Sequence, residues 1–118
     1  MMKNLTCILL ILGSAAAFAA PCDTKRDLLL DNSETKVWRS TLCPNQQLPY
    51  HTHEHARVAI PAENGMLKVI YQSGKTEVIQ LRKNQPIFLD KAQGKEAHQD
   101  VNITQKILHI TVIELSKD

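Results

Sequence analysis

From residue 35 onward the chain repeats one pattern: a short run rich in Val, Ile, Leu or Thr, then a turn signal, then another run. The runs are 35–41 (TKVWRST), 50–60, 66–72 (MLKVIYQ), 76–81 (TEVIQL), 86–89 (PIFL), 98–104 and 106–115. Between them lie Pro44-Asn45-Gln46-Gln47, Pro61 with Glu63-Asn64-Gly65, Ser73-Gly74-Lys75, residues 82–85, and the polar stretch 90–97 with its Gly94. Short runs with branched side chains read as strands, and a Gly-containing turn joining two of them reads as a hairpin. Only 23–32 (DTKRDLLLDN) allows a helix, and it carries one apolar triplet rather than a stripe. Many short strands with turns about every ten residues predict an all-β protein, an antiparallel sandwich or barrel. Aromatic residues make up only 4% of the chain, so Val, Ile and Leu must build the core.

The first twenty residues follow another pattern. Lys3 precedes a mostly apolar run at 5–12, which Gly13 and Ser14 break, and small residues with Phe18 among them follow. This is the layout of a secretory signal peptide, with Ala17-Phe18-Ala19 as the cleavage site and the cut after Ala19. An uncleaved anchor would need an apolar run of about 20 residues. The expected division is a signal peptide at 1–19, an N-terminal arm at 20–34 and one β domain at 35–118, in a periplasmic or secreted protein.

Charge and cysteines narrow the picture. Loss of Lys3 takes 14 basic residues to 13, against 12 acidic ones, for a net charge of +1. That balance gives no support to a nucleic-acid surface or a polybasic membrane patch, and no stable membrane association is expected once the signal is removed. Of the three cysteines, Cys7 leaves with the signal. Cys22 and Cys43 remain, an even pair in an oxidising compartment. A disulfide between them would tie the arm to the start of the histidine segment and contribute about 3 kcal/mol. Two free thiols are the alternative.

The candidate chemistry sits at 48–58 (LPYHTHEHARV). Three of the five histidines, His51, His53 and His55, stand there at alternate positions, while His98 and His109 lie far downstream. Alternate residues of a strand share a face, so the three imidazoles can converge if this segment is extended. Neutral imidazole is the commonest protein ligand for a transition metal, which makes this a candidate metal site.

The order of elements and histidines resembles the cupin superfamily, small β-barrels of jelly-roll type. Their first motif has the form G-x5-H-x-H-x3,4-E-x6-G, and His51-Thr52-His53 with the closing Gly65 matches it. The H-x3-N end of their second motif is matched by His98 and Asn102. The resemblance extends over about residues 37–115. It implies the barrel fold and a divalent transition metal (Fe, Zn, Mn, Ni or Cu) held by His51, His53 and His98. It also implies, as in many cupins, pairing of two copies into a homodimer through sheet edges.

The chain departs from the pattern at several places. The motif's carboxylate position falls on Arg57 or Val58, Pro44 or Asn45 stands near the first glycine position, and Asn84 replaces a glycine of the second motif. Asp90 replaces that motif's proline, and the loop from there to His98 is longer than the motif. His55 is a fourth ligand or pocket residue if the strand stays regular, and faces solvent if a bend follows His53. Arg57 reads either as a pocket guanidinium for a carboxylate or phosphate, or as half of a surface ion pair. Glu96 and Asp100 flank His98 and are placed to hydrogen-bond a ligand imidazole. His109 reads as a core or surface residue, Asn102 as a loop hydrogen-bonder, and Trp38 and Tyr50 as core and rim packing.

Three neutral imidazoles would leave a divalent ion its full charge and open positions. Three functions fit: a metal-binding module for a small, anionic ligand, a metal-dependent oxidoreductase of dioxygenase type, or a metal-free barrel that binds an anion through Arg57. No nucleophile–base pair, phosphate-cradling glycine loop or paired carboxylate signature is present, so hydrolases of those types have no support.

Overall fold

The computed structural model describes residues 21–116. The expected signal peptide with its cleavage site, and Cys7, lie outside the described residues. Eight strands form: β1 Lys25–Asp31, β2 Thr35–Leu42, β3 Arg57–Pro61, β4 Gly65–Tyr71, β5 Thr76–Leu81, β6 Ile87–Leu89, β7 His98–Asn102 and β8 Leu108–Leu115. They build a five-stranded sheet in the order β1-β2-β8-β3-β6 and a three-stranded sheet in the order β5-β4-β7, with antiparallel pairing throughout. Among the described residues there is no α-helix, only one 3-10 turn at Ala92–Gly94.

Alternation decides which side chains face inward. Trp38, Ser40 and Leu42 of β2, Leu108, Ile110 and Val112 of β8, and Leu67, Val69 and Tyr71 of β4 are buried at every second position. Across the sheet Trp38 stands opposite Val112 and Leu42 opposite Leu108. Trp38, Leu42, Leu67, Leu108, Ile110 and Val112, with Leu48, Ala59 and Leu81, make one mostly aliphatic core, as the scarcity of aromatics requires. Each large side chain buried there contributes about 1.5–3 kcal/mol.

Two elements differ from the sequence reading. Residues 25–31, read as an arm with possible helical character, are strand β1, paired with β2 through a bulge between Leu28 and Leu30. All seven of its residues are exposed. Three consecutive leucines cannot share a helix face or a strand face, so no apolar stripe exists to dock a helix. The open edge of β2 supplies backbone partners instead. The Cys22–Cys43 disulfide, with Cα atoms 5.8 Å apart, ties the chain just before β1 to the end of β2.

The second difference concerns the histidine segment. It is read as one strand over 50–60, but only Arg57–Pro61 is strand. Residues 45–51 run along β7 instead. Asn102 N–H donates to Gln46 O (3.0 Å), Leu48 N–H to Asp100 O (3.3 Å), and His51 and His98 exchange both backbone bonds at 3.0 Å. The chain then leaves the three-stranded sheet and crosses to the five-stranded one, bending at Glu54 and His55 before β3 begins. A regular strand cannot serve two sheets at once, so the crossing breaks the alternation.

Two departures from the glycine pattern have a common explanation. Asn45 and Asn84 are the non-glycine residues with positive φ, at 60° and 59°. Asparagine tolerates the left-handed region better than other side chains, so each takes over a turn that glycine would make freely.

Candidate metal centre

The mutual backbone bonds of His51 and His98 place two distant segments side by side. Two residues later, His53 N–H donates to Gly94 O at 2.8 Å, which draws its ring over the same region. The loop can approach because residue 94 has no side chain. A Cβ there would stand 2.7 Å from the Cβ of His53 and 3.0 Å from its carbonyl oxygen. The outcome is a triad: one ring nitrogen from each of His51, His53 and His98 lies within 4.8 Å of the other two.

Backbone carbonyls orient two of the rings. His51 Nδ1 is 2.7 Å from Pro49 O, and His98 Nδ1 is 2.9 Å from Glu96 O. A carbonyl only accepts, so each contact puts a proton on Nδ1 and leaves Nε2 with its lone pair. The His53 ring lies parallel to Trp38, with centroids 5.9 Å apart. Burial pushes the His53 pKa from its ordinary 6.5 to about 3, and the charges of Arg57, His51 and His98 add to the shift. Burial also lowers His98, although its bond to Glu96 opposes this. These two imidazoles are therefore neutral at pH 7, the form that binds metals. Three convergent nitrogens, two with fixed tautomers, fit a divalent transition metal ion.

Beside the triad is a cavity of about 60 Å³ whose polar lining includes Arg26, His51, His53, Arg57, Gln93 and Asp100. The rest of its wall is apolar core, Trp38, Leu67 and Val112 among it. Arg57 is 3% exposed, and its Nη2 donates to Gln93 Oε1. Its Nε is buried with no hydrogen-bond partner. Arg26 lies over Trp38, with the guanidinium carbon 4.3 Å from the ring centroid. Asp100 reaches His51, with Oδ2 3.4 Å from Nε2. Burial alone would raise its pKa, but the bond to His51 and the charges of the histidines outweigh this and lower it.

The residues singled out from sequence divide clearly. His51, His53 and His98 come together. Arg57 lines the cavity rather than pairing with a surface acid. His55 does not join them; the bend turns it to a separate surface depression beside Asn32, Lys36 and Glu114. Its role as pocket residue or fourth ligand is thereby corrected, because alternation fails where the chain changes sheets. Asp100 contacts a triad histidine, whereas the Glu96 carboxylate accepts from Ser73 N–H and only its carbonyl serves His98. Asn102 is fully buried and binds Leu42 O, Lys106 O and Thr104, a loop-fixing role. His109 pairs with Glu63 away from the triad. Trp38 is in the core, whereas Tyr50 is exposed. Arg26, Gln93 and Gly94 were not anticipated. Gly94 was visible as the one glycine in a polar loop, but nothing in the sequence linked that loop to His53.

No protein-family model and no curated protein sequence matches the chain. Solved structures do. A cupin domain from Bordetella pertussis Tohama I is 18% identical with a TM-score of 0.71, over 83% of this chain and 98% of that one. An RmlC-like cupin family protein with a double-stranded β-helix fold from Methanocaldococcus jannaschii is 13% identical, with a TM-score of 0.62 over 80% of this chain and 82% of that one. An oxalate oxidase in complex with the substrate analogue glycolate is 15% identical, with a TM-score of 0.60 over 85% of this chain and 54% of that one. The chain has the cupin fold.

Proposed function

We propose that this cupin-fold chain is a periplasmic or secreted metal-binding module. In this reading His51, His53 and His98 hold one divalent transition metal ion, and Arg57 holds a small anionic ligand beside it. The observation that carries the proposal is the convergence of three ring nitrogens from distant segments within 4.8 Å of one another. An ion bound there supplies a Lewis acid with open positions for a ligand oxygen.

Arg57 supports the anionic ligand. A buried guanidinium with an unpartnered Nε leaves a donor unsatisfied, and an anion in the cavity would satisfy it. The cavity of about 60 Å³ suits a ligand of a few heavy atoms, such as a small carboxylic acid. Secretion is supported by the layout of residues 1–19 and by the Cys22–Cys43 disulfide.

A second reading is a metal-dependent oxidoreductase acting on such an acid. The observation favouring it is that a neighbour in fold is an oxalate oxidase seen with glycolate.

Elemental analysis of the mature protein, purified without an affinity tag, tests the metal. About one equivalent is expected. Protein that takes up no Mn, Fe, Zn, Ni or Cu from solution would leave only the metal-free anion-binding barrel. Calorimetric titration of the loaded protein with glycolate, oxalate and phosphate tests the ligand, and Arg57→Met should abolish that heat while keeping the metal. Oxygen uptake by Fe(II)- or Mn(II)-loaded protein with the same acids separates oxidoreductase from binding module.

A further inference from the structure

The position where the cupin pattern has a carboxylate holds Arg57 or Val58 in this chain, so a three-histidine site would lack an anionic donor. We infer that Asp100 supplies it from a different strand, as the fourth ligand of the ion held by His51, His53 and His98. The inference rests on the metal-binding reading and specifies its donor set.

Strand geometry places Asp100 for this role. It stands two positions beyond His98 on β7, on the same face, and lines the cavity next to His51 and His53. Its Oδ2 is 3.4 Å from His51 Nε2. That is the long end for the His51–Asp100 hydrogen bond that lowers the Asp100 pKa. It matches two ligands of one ion, which at about 2.1 Å from the metal stand roughly 3.0–3.4 Å apart.

The orientation of the His51 ring makes the same point. Pro49 O takes the Nδ1 side of the His51 ring, so Nε2 is the atom turned towards the carboxylate oxygen. That contact is closed by a proton on Nε2 or by a metal ion between the two atoms, and the adjoining rings of His53 and His98 offer the ion its other donors. Arg26 and Arg57 line the same cavity and feel the Asp100 charge, but the partner within ion-pair distance of its carboxylate is His51. With Asp100 as a donor the net charge of ion and ligands falls from +2 to +1. A mixed nitrogen and oxygen set suits Mn(II), Fe(II) or Zn(II) and disfavours Cu(I).

The test uses Co(II), whose absorption reports its donors, on the full mature protein. Asp100→Asn should weaken Co(II) binding by about tenfold or more and shift the visible d–d bands. Asp100→Cys should produce a thiolate-to-cobalt charge-transfer band, which arises only if the side chain at position 100 touches the ion. The cysteine variant carries the test if the asparagine variant fails to fold. Unchanged affinity and bands in Asp100→Asn would overturn the inference. So would weakened binding in Asp100→Asn with no charge-transfer band in folded Asp100→Cys, which would make Asp100 a group that merely orients His51. Wild-type protein that binds no Co(II) would overturn the metal reading itself, an outcome distinct from the other two.

Discussion

His51 and His109 both have Nδ1 engaged, yet they have become different devices. His51 Nδ1 faces the carbonyl of Pro49, which orients the ring and leaves Nε2 turned towards His53, His98 and Asp100. His109 Nδ1 faces a carboxylate oxygen of Glu63, and the other oxygen of that carboxylate accepts from the His109 backbone N–H. The two contacts together tie the 62–65 turn to β8. The difference teaches that a histidine's partner, more than its neighbourhood in sequence, decides whether it is ready for a metal. The Pro49 carbonyl orients the His51 ring and leaves its far nitrogen to the triad, whereas the Glu63 carboxylate holds the His109 ring against its own turn.

The largest effect should separate the two regions outright. His98→Ala is expected to abolish metal retention, and His109→Ala to leave the metal stoichiometry unchanged, as read by elemental analysis after dialysis. Metal retained by His98→Ala, or lost from His109→Ala, would break the comparison.

Acid should act next, and through the triad. The unfolded chain takes up a proton at His53 near 6.5, the folded chain only near 3. Between those values the unfolded state binds more protons, so the ligand-free protein should be stable above about pH 6.5 and lose stability progressively towards about pH 3. Urea unfolding across that range measures the slope, and His53→Gln should flatten it. Bound metal should be released over the acid side of the same range, because its ligands must be neutral.

Gly94→Ala should cost about 1–3 kcal/mol, because its Cβ meets backbone and Cβ atoms of His53 that cannot yield freely. Metal affinity should fall with it, which a titration of the folded fraction would show. The smallest change belongs to the exposed pair. Glu63→Gln should cost no more than about 1 kcal/mol and leave metal binding untouched, since the pair is partly solvated. A loss of metal in that variant would mean that the two regions are coupled.

Legibility differed along the chain for physical reasons. The hairpin at 66–81 was readable because its period is local: Gly74, at φ 93°, turns two runs whose side chains alternate. Residues 25–31 were not readable as strand, because every residue there is exposed and the β2 backbone pairing that holds them leaves no buried face to show in the sequence. The triad was visible through the cupin resemblance, since His51, His53 and His98 keep the motif spacing. His55 obeyed the same alternation on paper and failed, because the chain changes sheets between His53 and Arg57.

The sequence by itself determined the all-β class, the aliphatic core and the turns, which depend on periodicity or spacing that neighbouring residues settle among themselves. It pointed to His98 as a partner of His51 and His53 only through the cupin resemblance. Tertiary structure alone decided that Arg57 faces a cavity, that Gln93 meets it, that Gly94 admits His53 and that Asp100 stands against His51. All four join segments separated by tens of residues. Their geometry follows from how two sheets pack, and no local pattern encodes that.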